Sequence, residues 1–284
     1  MALRASVKKL RRALRGRQRR LEARIKKRML GKNVAAVIVP SANGIFAVDI
    51  DDDGVGRALR LRQSYGEDEI RRVSAYLDAS ADVLVVGAHI GAVAIPLARQ
   101  CRRLWAVEAN PKTFELLATN IRLNDADNIE ALPLVAGDKE EEIEFVMSRA
   151  NSGGSKRMPK IRAGMYFDDN PEIVTVTARP LDELFAGQKF ALIFMDIEGS
   201  EYFALKGMQK ILGDAKTLVI EFLPHHLRNV AAVTPEEFLA PIEPHFAHMS
   251  VPSKGLSVGR AEFAPILRAM YDQDQGDAGL IFTL

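Results

Sequence analysis

Several things are scarce in this sequence, and each scarcity narrows what the chain can be. Among 284 residues there is one cysteine, Cys101, so no intrachain disulfide forms and a reducing compartment is expected. The most apolar stretch, Val83 to Ala98, is shorter than a membrane span and is broken by Gly87, His89 and Gly91. It reads as strand, turn and helix start. The N-terminus shows no apolar h-region followed by a small-residue cleavage site, so a cytoplasmic location is expected rather than secretion. Aromatic residues are few (7%), and none falls in residues 1–33, which removes the stacking signal of single-strand nucleic-acid binders. Internal repeats and a linker dividing the core are also missing.

The net charge of +2 conceals two bodies of opposite sign. Residues 1–33 hold 14 Lys and Arg against Glu22, a local charge of +13, while residues 34–284 hold 25 basic and 36 acidic residues, or −11. In the basic arm Leu3, Val7, Leu10 and Leu14 follow a helical spacing, which Leu21, Ile25 and Met29 resume after Gly16. Such an arm suits a solvated tail, a peripheral attachment to an anionic membrane or glycan, or a polyanion, with nucleic acid ranked below the membrane. The expected division is a basic arm at 1–33, a strand subregion at 34–66 and a single domain at 67–284.

From residue 34 the pattern alternates strand and helix. Short strands are predicted at Val34–Val39, Gly44–Ile50 and Ala58–Leu61, the last after the Asp51-Asp52-Asp53-Gly54 turn. Residues 67–77 predict a helix with Ile70, Val73 and Leu77 inward. A helix over roughly 91–101 must accommodate Pro96, which fits only an early turn or a kink. The next helix has Asn110 as cap, Pro111 at its first position and Phe114, Leu117 and Ile121 on one face. Strands follow at Asn128–Ala136 and Ile173–Thr177, with a mobile surface loop expected at 148–171 between them. Residues 200–212 predict a helix ended by Gly213, then a strand at Thr217–Phe222. Thr234-Pro235-Glu236-Glu237 opens a further helix with a capping box. Ala247–Val251 and Gly279–Leu284 close the pattern as strands. This is the outline of a doubly wound α/β domain.

Three of the strands carry chemistry at their C-terminal tips. Asp82–Val86 runs into Gly87-Ala88-His89-Ile90-Gly91, Leu104–Val107 ends on Glu108, and Phe190–Phe194 ends on Met195-Asp196-Ile197-Glu198-Gly199-Ser200-Glu201. Glycines at a strand-to-helix turn let backbone approach a ligand, although a tight turn alone also uses them. A dinucleotide fingerprint would want glycine at positions 89 and 92, where His89 and Ala92 stand, so a nicotinamide cofactor is not expected. Glu108, 17 residues after Gly91, is placed to accept both hydroxyls of a ribose, or is a plain surface carboxylate. Together they favour an adenosyl ligand. His89 is read either as a turn histidine with a local hydrogen bond or as a site residue. His225-His226 with Asp196 does not predict a shared ion, because neighbours on an extended chain point in opposite directions. No metal site is expected.

The run Asp82–Gly91, the Glu108-Ala109-Asn110-Pro111 turn with Phe114, Leu117 and Asn120, and Leu123-Asn124 with Asn128 resemble the FkbM-type S-adenosylmethionine-dependent methyltransferases. So do Gly66-Glu67-Asp68-Glu69, Leu181-Asp182-Glu183-Leu184 and the Asp196–Glu201 block with Leu205, Lys206 and Gly207. The resemblance spans roughly residues 60–225. Val86 and His89 depart from it, standing where that family usually has an acid and an asparagine.

The resemblance implies a class I, Rossmann-like, mostly parallel seven-stranded sheet of order 3-2-1-4-5-7-6 with the last strand antiparallel. It also implies S-adenosyl-L-methionine as cofactor and methyl transfer to oxygen, often of a sugar or other small hydroxyl acceptor. Cofactor contacts are expected from Gly87, Ala88, His89, Gly91, Glu108, Ala109, Asn110, Ala136 and Asp196, with Asp138 near the adenine. Asp196 and Glu198 are the candidate bases or acceptor clamps. His225 and Glu221 are further acceptor contacts, and Glu201 complements its helix. Methylation of RNA or another polyanion, and a non-catalytic nucleoside-binding scaffold, are the rival readings.

Overall fold

The computed structural model describes residues 22, 25, 26 and 28–284, so the arm positions Leu3, Val7, Leu10, Leu14 and Leu21 lie outside the described residues. Fourteen strands are described in chain order: β1 Ala36–Ser41, β2 Gly44–Asp49, β3 Asp82–Val86, β4 Arg103–Val107, β5 Ile129–Leu132, β6 Val135–Ala136 and β7 Glu141–Met147, then β8 Lys156–Arg157, β9 Glu172–Arg179, β10 Leu192–Met195, β11 Thr217–Phe222, β12 His248–Val251, β13 Leu256–Gly259 and β14 Asp277–Thr283.

The central sheet runs β5-β4-β3-β10-β11-β14-β12-β13. Counting only the strands read from the sequence, this is the 3-2-1-4-5-7-6 order, with β14 antiparallel to β11. An eighth strand, β13, adds a hairpin edge that the sequence pattern did not disclose.

Side chains on a strand alternate between faces, and the central strands are apolar on both. Leu84, Val86, Ile193, Met195, Leu218 and Ile220 enter one core with Phe203, Leu205, Phe238 and Leu267 from the helices Glu201–Lys206, Pro235–Leu239 and Phe263–Asp272. Val83, Val85, Leu192, Phe194 and Val219 enter the opposite core with Val73, Leu97 and Leu117 from the helices Glu67–Ser74, Ala94–Ala98 and Pro111–Leu123. Helices therefore cover both faces, as a doubly wound sheet requires.

The remaining strands form a hairpin, β1-β2, and a four-stranded sheet of order β6-β9-β7-β8. The hairpin is tied to the main domain by Asn120, which is fully buried. Its Oδ1 accepts from Ala47 N (2.6 Å), and its Nδ2 donates to Ala47 O (3.1 Å) and Ile90 O (2.9 Å). One amide thus joins hairpin, helix and glycine turn.

Several expectations need correction. Ala58–Leu61 lies in a helix, Val55–Arg62, that buries Val55 and Leu59 once per turn against the hairpin. The predicted strand at 128–136 breaks at Pro133, which has no N–H for the ladder, and its second half crosses to the four-stranded sheet. The helix at 200–212 is two helices, Glu201–Lys206 and Gln209–Asp214. At the break a Cβ on Gly207 would meet the Gly137 carbonyl oxygen at 1.8 Å, and Gly213 lies inside the second helix. Pro96 occupies the first turn of its short helix, where its missing N–H costs nothing. Strand β7 went unread. The stretch 148–171 is not simply a surface loop: it carries a 3-10 turn at Ser152–Gly154 and strand β8, which reach the site described next. Among the described residues no helix is long and apolar enough to cross a membrane.

Candidate functional site

The tips of β3, β4 and β10 meet over two adjoining open clefts. Gly87, His89, Gly153, Asp196 and Glu198 border both. The first cleft adds Glu108 and Ala109 with an apolar wall of Val107, Leu134, Ala136 and Phe145. Tyr65, Glu69, Ala88, Val93 and Asn151 belong to the second.

Local backbone chemistry explains the turn. Gly87 has φ +90, and a Cβ there would meet the Asp196 carbonyl oxygen at 1.9 Å, so this glycine lets the tip of β10 close on β3. Gly91 (φ +88) borders neither cleft; its missing Cβ makes room for Ile95 and Leu117. His89 and Glu198 hold φ of +52 and +56, left-handed values that cost a non-glycine residue about 1 kcal/mol or more. Both strained residues face the clefts.

Glu108 is 7% exposed and is gripped by backbone: its Oε2 accepts from His89 N and its Oε1 from Asn110 N, each at 2.8 Å. Burial raises its carboxyl to about 7, against backbone hydrogen bonds from Asn110, His89 and Ala109. The acceptor capacity that remains borders the first cleft. Asn110 borders neither cleft; it caps the helix Pro111–Leu123 by accepting from Lys112 N at 3.1 Å. Asp138 borders neither cleft; it accepts from Lys206 Nζ at 2.8 Å. An apolar wall beside a buried carboxylate is an arrangement that could hold an adenosine-type ligand.

The side-chain hydrogen bond of His89 is not local but reaches a residue distant in the chain. Its Nε2 lies 2.8 Å from Ser152 Oγ, and that hydroxyl donates to Asp52 Oδ1 at 3.2 Å. Burial holds the ring neutral, its pKa lowered to about 4, and Nδ1 is buried without a hydrogen-bond partner. A polar group of a ligand would satisfy it.

On the far side Asp196, Glu198, Glu201 and Glu221 converge. Burial first, and then mutual repulsion, pushes Asp196 and Glu221 well above the ordinary carboxylate range. Glu201 accepts from Ile197 N at 3.0 Å and is raised by burial to about 7. The sequence did not point to what opposes this charge. Lys156, on β8 and 5% exposed, places Nζ 3.2 Å from Glu198 Oε2 and 3.3 Å from His226 Nε2, over the Tyr166 ring.

His226, not His225, is the histidine of this cluster. Strand β11 ends at Phe222 and the two histidines follow on the short helical turn Pro224–His226, so the extended-chain argument does not hold there. The His225 ring stacks on His226 and its carbonyl accepts from Tyr166 Oη at 3.1 Å, but it borders neither cleft. Burial and the Lys156 charge depress His226 to about 2, so it is neutral.

Of the residues expected to touch a cofactor, Gly87, Ala88, His89, Glu108, Ala109, Ala136 and Asp196 border the clefts, whereas Gly91 and Asn110 support them. Lys156, His226, Ser152 and Tyr65 were missed. Glu69 had a signal in the Gly66–Glu69 segment, but no periodicity could bring Lys156 from a glycine-rich loop to a strand tip.

A family model described as the methyltransferase FkbM domain matches residues 86–250. The tRNA(Phe) (4-demethylwyosine(37)-C(7)) aminocarboxypropyltransferase of Methanocaldococcus jannaschii is 25% identical over 173 residues, 55% of this chain and 68% of that protein. Among solved structures, methyltransferase FkbM from Methylobacillus flagellatus aligns with a TM-score of 0.43 and 20% identity over 72% of this chain, which spans 44% of that protein. M. jannaschii TYW2 in complex with AdoMet aligns at 0.44 and 15% identity, covering 88% of this chain and 85% of that one.

Proposed function

The chain belongs to the methyltransferase FkbM family, and we propose that its S-adenosylmethionine-dependent methyl transfer is directed at a hydroxyl oxygen of a small polyhydroxyl or glycan acceptor. The observation that carries this reading is the lining of the two clefts: Asp196 and Glu198 border both, Glu69 and Glu108 border one each, and among the described residues no Lys or Arg lines either. A phosphate-bearing acceptor would enter against that field, whereas neutral hydroxyls find acceptors in every direction.

When bound, the cofactor would supply a methyl group on a positively charged sulfur for transfer to an acceptor oxygen, the electron pair of the broken carbon–sulfur bond staying on sulfur. The residues would do the rest by alignment. Glu108 would hold the ribose, and the apolar wall at Val107, Leu134, Ala136 and Phe145 would hold the adenine. Glu69 in the second cleft would meet the methionine ammonium. Asp196, whose raised pKa suits proton capture, takes the hydroxyl proton, and Glu198 orients the acceptor.

A second reading, methylation of RNA, is supported by the +13 charge of residues 1–33 and by the tRNA substrate in the name of the M. jannaschii relative. Incubation of the full chain with methyl-labelled S-adenosylmethionine and a fractionated cell extract separates them. Label is expected in polyhydroxyl metabolites or glycans. Label confined to RNA, with salt-sensitive retention lost on deleting residues 1–30, would replace this reading with the second.

A further inference from the structure

The corner beyond Glu198 is over-supplied with ligand atoms. Glu198, Glu221 and His226 each offer one within 4.8 Å of the others, and Asp196 and Glu201 share Glu221 in a second such group. A gathering of acids would mean little alone. Here an imidazole 3% exposed joins it, with Nε2 3.3 Å from Glu198 Oε2 and Nδ1 3.7 Å from Glu221 Oε2. That Nδ1 is buried and has no hydrogen-bond partner. As a donor it falls short of Glu221; as a bare lone pair beside a carboxylate it faces the wrong sign. A cation between Nδ1 and Glu221 resolves both.

We propose that Glu198, Glu221 and His226 form a divalent-cation site at the acceptor edge, and that the Lys156 ammonium fills the corner when no metal is bound. Charge and geometry agree. Four carboxyl groups, Asp196, Glu198, Glu201 and Glu221, meet one ammonium, and a dication there would favour their ionised forms.

The contacts of Lys156, at 3.2 and 3.3 Å, are longer than the 2.7–2.9 Å typical of charge-assisted bonds, and its flexible stem sits on a two-residue edge strand. Such an ammonium is a displaceable counter-ion. Two carboxylates and one imidazole suit Mn²⁺ or Zn²⁺ better than Ca²⁺. An ion held by Glu198 would border both clefts, where it can bind the acceptor oxygen. That last role rests on the proposed function; metal binding itself does not.

The test is Mn²⁺ titration of the full, chelator-treated chain, followed by electron paramagnetic resonance of free ion and by the melting temperature. One saturable site is expected, with a melting temperature that rises with Mn²⁺. Glu221→Gln and His226→Gln should each weaken binding at least about tenfold, the scale of one lost ligand. Lys156→Met should tighten it by about tenfold as a competing positive charge is removed.

No saturable Mn²⁺ or Zn²⁺ binding by the wild-type chain at millimolar metal overturns the proposal. So does binding that survives both ligand substitutions, which places the ion elsewhere. Binding that appears only in Lys156→Met also overturns it, because the ammonium is then a permanent occupant. Metal binding without methyl transfer would refute the proposed function and leave this site standing.

Discussion

Replacing Glu108 by glutamine changes one oxygen for an amide nitrogen and almost nothing in volume. In the wild-type chain both carboxylate oxygens are already fixed by backbone, His89 N and Asn110 N each donating at 2.8 Å, so the remaining acceptor capacity is aimed before a ligand arrives. In Glu108→Gln the amide must turn its NH2 toward one of those N–H groups, and the same NH2 replaces an acceptor for one ribose hydroxyl. A hydrogen bond to a charged group is worth about 1.5–3 kcal/mol. The dissociation constant for S-adenosylmethionine should therefore rise by about 10- to 150-fold, read by isothermal titration.

Turnover at saturating cofactor should change little, because the substitution lies on the ribose side. The pH response gives a second readout. Burial raises Glu108 to about 7, and the hydroxyls need its ionised form, so wild-type affinity should fall as pH drops below about 7, by up to tenfold per unit. The glutamine variant lacks that component. A dissociation constant within about twofold of wild type, with an unchanged pH slope, would show that the ribose is held elsewhere.

Asp196→Asn keeps the shape of the β10 tip and removes the proton acceptor; turnover should fall by about 100-fold while cofactor affinity stays within a few fold, and unchanged turnover removes Asp196 from that role. Gly87→Ala sets a Cβ against the Asp196 carbonyl oxygen at 1.9 Å on a backbone with φ +90, so chemical denaturation should show a loss of about 3 kcal/mol or more. Glu69 and Glu108 are each raised by burial from about 4.5 to about 7, so folding favours their protonated forms. Their contribution is full below about pH 4.5 and is lost as pH rises through about 7, up to ~3 kcal/mol each. The ligand-free chain should then melt higher at pH 6 than at pH 8, and Glu69→Gln or Glu108→Gln should shrink that difference; a flat profile refutes the burial argument.

What could be read before any coordinates is local in origin. Strands β3, β4, β10 and β11 announce themselves as short apolar runs, and the polar or glycine tips that follow them are contiguous in the chain. Asn110 with Pro111, and Thr234 with Glu237, mark helix starts through hydrogen bonds spanning a few residues, and both caps form. The glycine turn and Glu108 lie at the ends of adjacent strands of a parallel sheet, so the Glu108 half of the site follows from short-range pattern plus one topological rule.

The other half depends on folding back. Asp52 reaches Ser152 across 100 positions, His89 reaches Ser152 across 63, and Lys156 reaches His226 across 70. No periodicity encodes such meetings; they exist because the hairpin β7-β9 carries the intervening segment over the sheet edge. The choice of His226 over His225 is decided in the same way, by where β11 stops and a helical turn begins. Apolar spacing sets which residues are buried within an element, but which charges confront one another is set only when separate elements close on a shared cleft.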